Sequence, residues 1–236
     1  MSKHKFSLPA STQWILLIGM GALVATILNT DNPIMRYYNV PRDLFLSEGT
    51  TGDYLYIIGL ALCLLLAAVG FHWVLAGSDR PQRRAFKWWQ YGLALIVTIM
   101  ITIGLQGWMA LYPDPTLLLV PDTTNDLQYL NVYYWALIAV VNLAFFTWAW
   151  LLAVSASHLL ARQHFPLIIQ LIVALVIFAS ARLMNMDGSY GYQLVVNLLM
   201  VLPMLLWTIY TRRIWIGLIS LWVVYEAVIY LLFITR

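Results

Sequence analysis

The sequence predicts an all-α polytopic membrane protein, a bundle of seven transmembrane helices forming a single integral domain over residues 1–236. Three observations predict it. Of the 236 residues, 62% are hydrophobic and only 10% are charged, against roughly 45–50% apolar and about 25% charged in an ordinary soluble domain. No polar stretch is long enough to form a separate soluble module. Seven apolar runs are long enough, at 1.5 Å per residue, for a hydrocarbon core of about 30 Å.

The first run, 13–29, follows Lys3, His4 and Lys5 in the manner of a signal peptide. It reaches Asn29 with no A-x-A cleavage pattern, so it reads as a retained helix. The second and third, 54–77 and 86–111, flank the basic segment with Arg80, Arg83, Arg84 and Lys87. The fourth, 130–160, has length to spare for tilt or protrusion. The last three, 166–184, 192–210 and 214–233, follow with short connections, the final one being Arg212 and Arg213.

Lys and Arg in short loops favour the cytoplasmic side. Lys3 and Lys5, the 80–87 segment, Arg162, and the Arg212–Arg213 pair fall in alternate connections and therefore share one side. The opposite loops hold Asp31, Arg36, Arg42, Asp43, Glu48 and Asp53, then Asp114, Asp122 and Asp126, then Asp187. The chain is expected with its N-terminus inside and its C-terminus outside, in a plasma membrane, the inner membrane if the source is bacterial. Trp88, Trp89 and Trp215 beside basic residues, and Tyr112, Tyr129, Tyr133 and Tyr134 on the other side, read as interfacial belts. Trp148 and Trp150, deep in the fourth run, read as packing residues. Gly19, Gly21, Gly104 and Gly107 read as places where helix backbones approach closely.

Two outer connections are more than minimal. Residues 30–53 mix charges with Met35, Tyr37, Tyr38, Val40, Leu44 and Phe45, a pattern suited to a surface-lying segment or to a partner protein. Residues 112–128 set Pro113, Pro115 and Pro121 around an apolar run too short to span, and read as a constrained surface loop.

Ionisable residues inside a span are costly, so they are the first place to look for function. Glu226 lies within the seventh run and Arg182 near the outer end of the fifth, at similar depth. Their pairing has two readings, a lock between helices or a working carboxylate with a changeable partner. Gln106, Asn131, Asn197 and Tyr225 also lie toward the outer side, with Asn29 and Gln193. Converging, they would line an outward-opening pocket for a small polar solute with Glu226 at its floor. Dispersed, each would make one interhelical hydrogen bond worth about 0.6 kcal/mol. His72 and His158 come near the inner ends of the second and fourth runs, and equal depth makes them the one candidate pair for axial haem or metal ligation. The competing reading is two interfacial histidines meeting water or headgroups.

Several classes are excluded. The single cysteine, Cys63, rules out an internal disulfide framework and a cysteine metal cage. A net charge of +3 spread over many segments does not suggest nucleic-acid binding. The sequence holds no H-E-x-x-H, G-x-S-x-G or Walker A pattern, its spans' serines have no adjacent base, and no lysine lies in the seventh run for a retinal Schiff base. No enzyme activity and no cofactor are therefore expected. The expected function is a small carrier or ligand-binding protein with Glu226 as a proton-coupling carboxylate. The alternative is a non-catalytic accessory subunit of a membrane complex. Three helices, a linker and three more is a permitted arrangement, shared in helix count with some sugar and vitamin carriers but supported by no motif.

Overall fold

The computed structural model describes residues 9–28, 51–76, 84–111, 132–183 and 190–234. Among them are seven helices and no strands: α1 Ala10–Leu28, α2 Thr51–Ala76, α3 Trp88–Leu111, α4 Val132–Arg162, α5 Leu167–Leu183, α6 Tyr190–Thr211 and α7 Ile214–Ile234. Each lies within about three residues of an apolar run. One stretch among the described residues, Trp88–Leu105 in α3, is long and apolar enough to cross a membrane; Ala61–Leu75, Leu167–Ser180, Leu198–Thr211 and Ile214–Ala227 are shorter apolar stretches.

The fourth helix is the hub. α4 packs against α1, α2, α5, α6 and α7, and most extensively against α2 and α5. Its residues from Phe146 to Leu160 are buried without a break, which is why its apolar residues follow no single stripe. The large contacts of α3 are with α6 and α7, so the helices do not divide into two triplets about a linker. This corrects the three-one-three expectation.

The core centres on Phe146 and Trp150 of α4, Phe178 of α5, and Tyr225 of α7. The Phe146 ring lies 5.0 Å from Tyr225 and 6.2 Å from Phe178. Trp150 is fully buried and donates its indole N–H to the Ile214 carbonyl at 3.2 Å, so its polar atom is satisfied inside the core. Trp148 is buried as well, as its depth in the fourth run suggests. Close approach is not where the sequence puts it. Gly19, Gly21, Gly104 and Gly107 face open space, whereas a Cβ on Gly217 of α7 would collide with Thr208 of α6 and fall 2.8 Å from the Trp150 ring. The glycine pattern misleads because small residues also occur where nothing packs.

Two turns fix the helical hairpins. His164 at φ 62° ends α4, with its N–H on the Ala161 carbonyl and that of Phe165 on the Leu160 carbonyl, the paired bonds of a Schellman motif. The whole α6–α7 connection is Arg212 and Arg213, with Arg212 at φ 61° and its N–H on the Thr208 carbonyl at 2.7 Å. Side-chain contacts bring these turns, the α1 N-terminus, the α2 C-terminus and the approach to α3 to one end of the bundle. Arg162 reaches Gln13 and the Leu75 carbonyl, Arg212 reaches Gln170, and Arg84 covers Tyr210. The alternate basic connections thus meet at a single basic end.

Candidate site at the basic end

The residues gathered there differ in kind from the core. Gln13, His72, Ser155, Ser157, His158 and Gln170 are all buried. Ser157 donates to the Val154 carbonyl within its own helix at 2.8 Å, a local solution open to short hydroxyl side chains. His72 Nδ1 and the Ser155 hydroxyl share a hydrogen bond of 2.9 Å between α2 and α4. Gln170 donates to the Phe165 carbonyl at 2.8 Å and accepts from Arg212 Nη2 at 3.1 Å, which turns the guanidinium beneath the start of α5.

Other polar nitrogens are left over. His158 Nε2, Arg212 Nη1 and Arg213 Nε are shielded from solvent and have no hydrogen-bond partner among the described residues. A buried polar group without a partner costs about 1–3 kcal/mol, and more when charged. Burial, with the Arg84 charge nearby, pushes the Arg212 guanidinium down to about 10, so it remains a cation at neutral pH. The charges of Arg212 and Arg162 and the His72 ring all act on His158. Arg213 instead leans over the Phe86 ring, 4.7 Å from its centre, within a cluster that includes Trp207 and Tyr91.

Nothing in the described residues neutralises this charge. Five of the thirteen Lys and Arg lie at this end among the described residues, namely Arg84, Lys87, Arg162, Arg212 and Arg213. No acidic side chain is described at this end. Asp53 and Glu226 stand toward the opposite ends of α2 and α7.

The expected outer pocket falls largely beyond view. Asn131 lies outside the described residues, as do residues 30–50 of the long outer loop and all of 112–128, and the side chains of Gln106, Arg182 and Asn197 are likewise outside them. Of that set the described side chains are Tyr225, buried against Phe146, and Glu226, half-buried beside it on α7. His72 and His158 do come together, with ring centres 6.2 Å apart. They sit on helices packed directly on one another, and a porphyrin between the rings would have to part them. No group of three or more His, Cys, Asp or Glu side chains suited to a metal occurs among the described residues.

Sequence reasoning missed the Arg212 site because the positive-inside rule had already given every arginine there a topological role. The available signal was that two arginines alone join two apolar runs. Neither protein families, nor curated proteins, nor solved structures offer a match to this chain.

Proposed function

We propose that the chain is an integral membrane bundle of seven spans with its basic end on the cytoplasmic side, acting as a non-enzymatic binding protein or carrier. The observation that supports this reading is an inverted distribution of polarity. Ile15, Ile18, Leu62, Leu66, Leu93, Ile96, Met100, Ile172, Val176 and Ile219 are exposed along the helix flanks, while histidines, glutamines and serines are buried. Isolated exposed leucines are ordinary on soluble proteins, but large apolar flanks combined with buried polar groups suit a lipid surround. Trp73, Trp88, Trp89 and Trp215 are exposed at the basic end, where an aromatic belt would meet headgroups.

The test is extraction and labelling. The chain should stay with membranes through alkaline carbonate and leave with detergent, and a Cys substituted for His164 should react with an impermeant maleimide only in inside-out vesicles. Release by carbonate alone would end the membrane reading. Glu226 stays the proton-coupling candidate of a carrier, on the ground that a carboxylate half-buried beside Tyr225 is costly to keep in a span. Solute uptake that is equally pH-dependent in Glu226→Gln proteoliposomes would remove it from that role.

A further inference from the structure

We propose that Arg212, with Arg84 and His158, forms a binding site for a phosphate-type oxyanion at the basic end, between the α4–α5 and α6–α7 turns. This deepens the binding-protein reading by giving the ligand its chemistry, and it rests on that reading for its membrane setting.

Arg212 is not placed as a surface charge. Its backbone is left-handed, a conformation that favours glycine, and its guanidinium is turned inward so that Nη2 is held by Gln170 while Nη1 is buried with no acceptor. His158 supplies an independent observation from α4. It is 7% exposed, its Nε2 has no partner, and it lies within the field of Arg212 and Arg162. Arg84 adds charge from a third element, close enough to act on Arg212 and held 4.1 Å from the centre of the Tyr210 ring. The Arg212 and Arg84 guanidiniums repel one another, and an anion relieves that repulsion while giving Arg212 Nη1 an acceptor.

The donors select among anions. Arg212 on the α6–α7 turn, Arg84 before α3 and His158 on α4 belong to three separate segments, so a flat carboxylate with two oxygens serves them less well than a tetrahedral group with three or four. Phosphate also carries up to two charges. The same group is found in a cytoplasmic-leaflet lipid headgroup and in a soluble phosphate compound.

The experiment is a melting titration of the full chain in a phosphate-free maltoside detergent. One arm adds inorganic phosphate against chloride at constant ionic strength, and the other adds phosphatidylglycerol as mixed micelles. A saturable rise in melting temperature is expected in at least one arm. The lipid arm alone marks a headgroup, and the phosphate arm marks a soluble compound. Arg212→Gln should weaken the responding probe at least about tenfold, since charge-assisted bonds are the strong ones, while Lys87→Gln, an exposed cation at the same end, should leave it unchanged. If Arg212→Gln does not fold, Arg84→Gln takes its place with a several-fold loss. No response in either arm, an unweakened Arg212→Gln, or equal weakening by Lys87→Gln overturns the site. Failure of the membrane reading is seen separately, as a chain that stays dispersed without detergent while the phosphate titration still reports on the site.

Discussion

The two halves of α4 follow opposite rules. From Ala144 to Val154 the buried residues are almost all apolar, and the two polar groups that matter are satisfied: Trp150 N–H on the Ile214 carbonyl, and the Trp222 N–H on the Ala139 carbonyl just before. From Ser155 to Leu160 the helix stays buried but carries Ser155, Ser157 and His158, with half-buried Arg162 just beyond, and His158 is left with a vacant nitrogen. Phe146–Val154 and Ser155–Leu160 are both buried, so the difference is one of composition. The first half is arranged for packing, and the second tolerates desolvated polar groups that packing alone does not require.

The contrast is sharpest under truncation. Trp150→Ala should cost about 3–5 kcal/mol, the range for a large aromatic lost from a packed core, read as a fall in the denaturation midpoint. Gly217→Ala should cost about 1–3 kcal/mol by overpacking against Thr208 and Trp150, with part of the loss recovered in combination with Thr208→Ala. In the polar half the signs diverge. His72→Leu breaks the bond to Ser155 and should cost about 1 kcal/mol, whereas His158→Leu removes a buried orphan and should be neutral or stabilising by about 1 kcal/mol. A His158→Leu loss as large as that of Trp150→Ala would erase the distinction between the halves. The smallest effect is at the helix end. His164→Gly should gain up to about 1 kcal/mol, because glycine adopts φ 62° without the penalty of a Cβ, even after its extra unfolded-state entropy.

Much of the fold is legible in the sequence for a simple reason. Aliphatic runs bounded by charges leave little choice but helix, and alternating basic connections place their ends, so the α4–α5 and α6–α7 turns meet where Arg162 and Arg212 imply. What is not legible is which helices touch. The flanks of α3 and α5 are as aliphatic as the interior of α4, and an apolar run carries no mark of whether lipid or another helix covers it. For the same reason Gly217 and Gly104 look alike until Thr208 and Trp150 are seen against one of them. Among the candidate residues, depth along a helix is readable from position, and so His72 and His158 were legible as a pair. The direction of a side chain is not, and Arg212 turns inward only because its two-residue connection forces a left-handed step and Gln170 waits beneath it.

The packing of α3 also has a consequence for the order in which the molecule is made. Chains grow from the N-terminus, and α1 and α2 find their shared partner as soon as α4 is complete. The extensive contacts of α3 are with α6 and α7, the last two helices to emerge. In the proposed membrane setting it waits there without those partners while three further helices are synthesised. It is also the helix whose stretch Trp88–Leu105 is long and apolar enough to cross a membrane, and that stretch remains mostly exposed after assembly. The span best able to stand by itself is thus the one the assembly sequence leaves standing longest.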